Sequence, residues 1–100
     1  MIKHIVMWKL KDYAEGRSKK ENAIFMKNIL EQLKEKIDVI KSLEVGLNFA
    51  ESDAAFDIVL YSEFETKQDL MAYINHPEHQ KVVEFINKVK DLRYFVDYEV

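Results

Sequence analysis

The stretch "FDIVLYSEFETKQDLMAYINHPEHQKVVEFI", residues 56–86, contains the change of period that decides the fold. Its opening side chains alternate between two faces in the manner of an extended chain, which predicts a β-strand over 56–64. Thr66 and Asp69 then have the spacing of a helix N-cap. From there apolar residues recur at steps of three and four as far as about Leu92, which predicts an amphipathic helix.

The rest of the chain shows the same two periods. An amphipathic helix is expected over 18–40, beginning with a capping box formed by Ser18 and Glu21. Strands are expected over 2–10, 43–50 and 93–100. The order β-α-β-β-α-β predicts a ferredoxin-like α+β fold, in which two helices cover one face of a four-stranded antiparallel sheet.

The composition indicates one soluble domain over residues 1–100 and excludes several classes of function. The net charge of −3 argues against a nucleic-acid or anionic-membrane partner, because both recruit basic surfaces. The absence of cysteine excludes disulfides and thiolate metal sites. No signal peptide opens the chain and no apolar run approaches the length of a membrane span, so a cytoplasmic protein is expected.

The alternation of the strands leaves apolar side chains on the second face of the sheet as well. The first face, expected to meet the helices, carries Val6, Trp8, Phe56, Ile58 and Leu60. The second face then carries Ile5, Met7, Val59, Tyr61 and Phe95. Their burial is worth on the order of 10 kcal/mol, which is comparable with the roughly 4–15 kcal/mol cost of association. We therefore expect a homodimer that packs sheet against sheet, and a monomer with an open apolar face is the alternative.

Pro77 interrupts the second helix. Because it has no N–H for the carbonyl of Tyr73 and suits the first turn of a helix, a new helix is expected to start near it. Asn75 or His76 would cap that helix. His79 then falls on the inward stripe of the new helix, and Tyr73 faces the core from the other side of the break.

Three polar side chains are thus expected to converge among apolar walls, which is typical of a small-molecule pocket. They are His4, Tyr73 and His79, and the predicted apolar lining is Val6, Trp8, Ile58 and Leu60. An imidazole can transfer protons at neutral pH, and a tyrosine can donate to a developing oxyanion. A cluster that only satisfies its own hydrogen bonds is the alternative. Metal binding is disfavoured, because no carboxylate accompanies the histidines as a third ligand.

Three segments of the chain together resemble the stress-responsive A/B barrel domain (Dabb) family. They are "MIKHIVMWKLKD" at 1–12, the stretch 56–86 and "VDYEV" at 96–100, and the most specific element is "YINHPEH" at 73–79. The resemblance implies a dimeric α+β barrel made of two ferredoxin-like subunits. Many members of the family have no established activity, so the resemblance implies a stress-related protein of undefined activity. From the predicted pocket we expect it to bind a small molecule.

Some plant members of the family are polyketide cyclases that need no cofactor. Their catalytic tyrosine and histidine correspond to Tyr73 and His79, and their strand-one histidine corresponds to His4. A further cavity histidine of those enzymes is replaced here by Ile58, which would make the pocket more apolar. The resemblance therefore offers a cofactor-independent cyclase or lyase as the alternative function, with His79 as base. A small monooxygenase, as found in the wider superfamily, is a weaker alternative function. No cofactor or metal is expected.

Overall fold

A computed structural model describes residues 1–100. The chain forms six strands and four helices. In chain order they are β1 (Ile2–Leu10), β2 (Tyr13–Ala14), β3 (Arg17–Ser18), α1 (Lys19–Glu31), α2 (Leu33–Lys36), β4 (Ser42–Leu47), β5 (Ile58–Phe64), α3 (Lys67–Ile74), α4 (Pro77–Val89) and β6 (Lys90–Glu99). No helix is both long and apolar enough to cross a membrane.

The main sheet has the antiparallel order β4-β5-β1-β6, so β1 and β5 lie at its centre. Every second residue of β1, from Ile2 to Leu10, is buried on the face that the helices cover. Alternate residues of β5 join the same core, together with the apolar stripes of the helices. The predicted ferredoxin-like α+β fold is confirmed.

Both long helices are interrupted. The first is predicted over 18–40, but α1 ends at Glu31 and α2 ends at Lys36. Ile37 and Ile40 still reach the core, from non-helical backbone that begins with Ile37 in an extended conformation. Their three-residue spacing is therefore compatible with more than one backbone conformation, and the prediction of helix there is wrong.

The predicted strands also change at their ends. β4 stops at Leu47 rather than residue 50, because the Asn48 side chain accepts a hydrogen bond from the Ala50 N–H at 2.8 Å and turns the chain. Phe56 precedes β5, and its ring lies 5.5 Å from that of Tyr94 on the uncovered face of the sheet. Its predicted place on the helix face is therefore wrong.

A small hairpin of β2 and β3 is an addition that the sequence pattern does not predict. Its two-residue turn places Glu15 at φ 53° and Gly16 at φ 73°. Positive φ at both positions is what a tight hairpin turn requires. The buried Asn22 side chain donates hydrogen bonds to the carbonyls of Ala14 and Arg17, which attaches the hairpin to α1.

The break at Pro77 and one of the two predicted caps, His76, are confirmed, but the carbonyl that loses its helical partner is not the predicted one. His76 is the N-cap of α4, and its Nδ1 accepts from the Glu78 N–H at 3.1 Å. The carbonyl of Tyr73 does not lose its partner, because the chain turns and the His76 N–H donates to it at 3.1 Å. The carbonyl of Ile74 lacks a helical partner instead, and side chains of α4 bond to it.

The uncovered face of the sheet carries a continuous apolar patch. The register pairs Phe95 with Val6, so Phe95 lies on the helix side and its predicted place on the other face is wrong. Its neighbours in β6 occupy the uncovered face instead. The uncovered-face patch consists of Ile5, Met7, Val59, Tyr61, Leu92, Tyr94, Val96 and Tyr98.

The predicted capping box is present at the start of α1 and provides a test of local stability. Ser18 Oγ accepts from the Glu21 N–H at 3.2 Å, and a Glu21 carboxylate oxygen accepts from the Ser18 N–H at 3.0 Å. We expect Ser18→Ala to lower the free energy of unfolding by about 1 kcal/mol, measured by urea denaturation. Lys20→Ala, on the exposed side of the same turn, is the control. Equal stability of the two variants would contradict the role of the cap.

Candidate functional site

A cavity of about 230 Å³ lies between the covered face of the sheet and the helices. It is lined by His4, Val6 and Trp8 of β1, Leu60 of β5, Tyr73 of α3 and His79 of α4. The structure thus brings together the three polar residues that the sequence singles out and three of the four apolar ones.

Ile58 does not line this cavity. It is buried at the first position of β5, opposite Trp8 and on the covered face of the sheet. The cavity meets β5 only at Leu60, two residues further along the strand.

Tyr73 is fully buried beside both histidines. Its ring centroid lies 4.4 Å from that of His79 and 6.1 Å from that of His4. The hydroxyl has no hydrogen-bond partner within the chain. Burial raises the pKa of Tyr73 above its ordinary value of 10.0, so the group stays protonated and can donate.

His79 is held in one tautomer by the break before α4. Its Nδ1 lies 2.9 Å from the carbonyl oxygen of Ile74, which can only accept, so Nδ1 carries the proton. In the neutral ring the lone pair is then on Nε2. Burial is the main cause that lowers the pKa of His79 below 6.5, and the charge of Arg93 adds to it, while the bond to Ile74 opposes them. A neutral imidazole with a free Nε2 can act as a base at neutral pH.

His4 is oriented by a carboxylate that sequence reasoning missed. Its Nδ1 is hydrogen-bonded to Asp97 Oδ1, so the proton lies on Nδ1 in the neutral ring. His4 itself is buried, whereas Asp97 reaches it from the edge strand β6. Only the pairing register of β1 and β6 places the two side by side, and no spacing in the sequence encodes that register.

Trp8 provides a second unpaired donor. Its indole Nε1 is buried without a hydrogen-bond partner in the chain, as is the Tyr73 hydroxyl. Each such group costs about 1–3 kcal/mol relative to a paired one. Both residues line the cavity, so their unpaired donors are candidates for contact with a bound group that accepts hydrogen bonds.

The remaining lining residues follow a pattern that was available in the sequence. Val83, Ile86, Asn87 and Lys90 follow His79 at helical steps of three and four, so one stripe of α4 and its C-cap faces the cavity. A search for apolar residues at these steps finds the valine and the isoleucine but passes over Asn87 and Lys90. Leu30 of α1 and Arg93 of β6 complete the lining.

No group of three or more His, Asp or Glu side chains is placed to hold a metal ion. His76 and His79 both direct Nδ1 at backbone groups. Besides the cations of Lys90 and Arg93, the cavity contains a neutral base, a phenol and an indole.

The fold and the cavity define a class, that of small ferredoxin-like α+β domains with a polar cluster enclosed between sheet and helices. Within that class, residues 2–100 match the model of the Stress responsive A/B Barrel Domain, and the chain belongs to this family. The chain is 37% identical over 84 residues to a stress-response A/B barrel domain-containing protein of Arabidopsis thaliana. That match covers 84% of the chain and spans 30% of the length of the Arabidopsis protein.

Solved structures share the fold over the whole chain. A dimeric protein of unknown function from Bacteroides fragilis has a TM-score of 0.81 and 37% identity, covering 99% of this chain and 95% of its own. A hydroxynitrile lyase from Passiflora edulis has a TM-score of 0.78 and 17% identity, covering 97% and 90%. The likeness to the lyase is a likeness of fold.

The lowered pKa of His79 makes stability depend on pH. Between that lowered value and 6.5 the unfolded chain binds more protons than the folded one, so stability falls as the pH drops below 6.5. His79→Asn keeps a donor for the Ile74 carbonyl and removes the titration. We expect unfolding free energies, measured from pH 8 to about pH 5, to decline less in this variant. Parallel curves for the two proteins would contradict the buried neutral state of His79.

Proposed function

We propose that the chain forms a homodimer in which each cavity binds a small carbonyl compound and catalyses proton transfer next to the carbonyl, without a cofactor. This is the reaction class of a lyase or cyclase. One observation carries the proposal: the unprotonated Nε2 of His79 and the unpaired hydroxyl of Tyr73 belong to rings 4.4 Å apart in one cavity.

The proposed step begins with His79. Its Nε2 removes a proton from the carbon next to the carbonyl, and the electron pair of that C–H bond forms the carbon–carbon double bond of an enolate. The carbonyl electrons move onto oxygen, where the Tyr73 hydroxyl donates a hydrogen bond to the developing charge. The enolate then reforms the carbonyl, either by expelling a leaving group or by attacking an electrophile, and His79 returns its proton to the product.

His4 has a supporting role in this proposal. Asp97 fixes its ring, as a carboxylate that accepts from Nδ1 does in other histidine sites. The imidazole lies edge-on to Tyr73, with 6.1 Å between the ring centroids, and both side chains are buried. His4 is therefore a positioning residue for Tyr73.

The homodimer is supported by the uncovered-face patch. Its exposed members include Met7, Tyr94, Val96 and Tyr98, each at least 37% exposed in the single chain. A second copy offers the same apolar surface, and two sheets that pack face to face bury both patches at once. The similar protein from Bacteroides fragilis is described as dimeric with a ferredoxin-like fold, which agrees with this arrangement.

A charge at the centre of the patch tests the dimer. We expect light scattering to give twice the 11.9 kDa mass of one chain at micromolar concentration, and Met7→Lys to shift the protein to monomer, because the lysine would be buried opposite the partner sheet. Ile24→Lys changes a residue of similar exposure on α1 and should leave the dimer intact. A monomeric wild-type protein would overturn the dimer without touching the chemistry of the cavity.

Exchange of carbon-bound protons tests the catalysis directly. We expect the protein to accelerate deuterium incorporation into the methylene group of phenylpyruvate or phenylacetone in D₂O, followed by NMR. His79→Asn should slow the exchange by about 10²–10⁴-fold, and Tyr73→Phe by about 10²-fold or more.

The stability of these variants separates function from packing. Tyr73→Phe removes a hydroxyl that has no partner in the chain, so its free energy of unfolding should not fall. Tyr98→Phe, on the uncovered face, is the matched control and should keep full exchange activity. Exchange that is equal in the wild type and His79→Asn would overturn the proposed function.

A further inference from the structure

The charged residues that line the cavity have one sign. Lys90 and Arg93 are among its lining residues, and no aspartate or glutamate is. We call Lys90 and Arg93 the positive rim of the cavity. Their charge is opposite in sign to the net charge of the chain, which is −3. Asp97 touches His4 but does not line the cavity. A cleft of one sign raises the local concentration of ions of the other sign.

Neither cation has a salt-bridge or hydrogen-bond partner in the chain. The salt bridges of the structure involve other residues, and no side-chain hydrogen bond includes Lys90 or Arg93. Surface cations often pair with a nearby carboxylate, as Lys3 does with Glu63 on the other face of the sheet. The two rim cations therefore remain available to a ligand.

The fold places both cations at the mouth of the cavity. Arg93 lies opposite Trp8 in the register of β6 and β1, on the helix side of the sheet, and its guanidinium lies 4.9 Å from the Phe95 ring centre. Lys90 is the half-buried C-cap residue where α4 passes into β6. The charge of Arg93 contributes to the lowered pKa of His79 and opposes the burial that raises the pKa of Tyr73.

The inner wall adds donors to this positive rim. Trp8 Nε1 can only donate, and the protonated Tyr73 hydroxyl is unpaired as well. A ligand that matches the cavity must therefore accept hydrogen bonds along its length and carry negative charge at the rim.

We propose that the substrates of this cavity are small carboxylic acids that also contain a carbonyl group. The carboxylate would bind to Arg93 and Lys90 at the rim, and the carbonyl would lie between Tyr73 and His79. The inference rests on the proposed function and adds the class of substrate to it. A planar carboxylate matches the two parallel N–H bonds of one guanidinium.

The size of the cavity limits the rest of the ligand. Its volume of about 230 Å³ is below the roughly 300–1,000 Å³ of pockets for drug-sized ligands. Its walls away from the rim are apolar, with Val6, Leu60 and Ile86 among them. The ligand is therefore compact, with an apolar body no larger than one ring or a short branched chain.

Trp8 supplies the binding measurement, because it is the single tryptophan of the chain and lies in the cavity wall. We expect phenylacetate to change its fluorescence and to bind at least tenfold more tightly than neutral phenylacetamide. Arg93→Gln should weaken phenylacetate by about tenfold or more, and Lys90→Gln should weaken it as well. Lys34→Gln, which removes an exposed charge of α2 away from the cavity, should have no effect.

Three results would overturn the inference. They are binding of the amide as tight as that of the acid, no loss in Arg93→Gln, and no binding of either compound. Tighter binding of phenyl phosphate than of phenylacetate would overturn the assignment to carboxylates and point to phosphate esters.

Exchange kinetics distinguish this inference from the proposed function. Phenylpyruvate and phenylacetone differ by a carboxylate in place of a methyl group, so we expect exchange of the acid to have the higher kcat/KM and to lose that advantage in Arg93→Gln. Equal values for the two substrates, with His79→Asn still inactive, would overturn the substrate class alone. If phenylacetate binds through Arg93 but His79→Asn exchanges as fast as the wild type, the proposed function fails and the anion site stands.

Discussion

The pleat of β1 is the constraint on which the rest of the molecule depends. Because successive side chains of a strand point to opposite faces, His4, Val6 and Trp8 must share the covered side while Ile5 and Met7 take the other. β1 pairs with β5 and with β6, so its alternation sets the faces of both neighbours. A shift of one residue would exchange the cavity wall and the uncovered-face patch.

The proline break sets the second half of the site. A continuous helix would give the Ile74 carbonyl a backbone partner, whereas the break leaves it to the side chains of His79 and Gln80, at 2.9 and 2.8 Å. The same bond that satisfies the backbone also fixes the tautomer of His79. The geometry of a helix start therefore determines which nitrogen is free for chemistry.

Much of the fold could be predicted from the sequence, because periods of two and of three to four residues report directly on burial. The helix caps at Ser18 and Thr66 and the break at Pro77 also have local signatures. The pattern places Phe95 wrongly because an alternating segment shows two faces but not which of them meets the helices. It places Phe56 wrongly because β5 starts two residues later than predicted, so Phe56 lies outside the strand and does not follow its alternation. Asp97 could not be found, since its contact with His4 depends on the register between the two ends of the chain.

The unpaired buried donors of Trp8 and Tyr73 have a cost in stability that indicates what the cavity is shaped for. A domain of this size is stable by roughly 5–15 kcal/mol, and two unpaired buried donors cost about 1–3 kcal/mol each. Phenylalanine at position 73 would fill nearly the same volume without that cost. The Tyr73 hydroxyl and the unpaired indole of Trp8 therefore lower the stability of the isolated chain, and a ligand that accepts hydrogen bonds would restore what they lose. Such an arrangement is expected of a site shaped for a ligand rather than of a core optimised for packing.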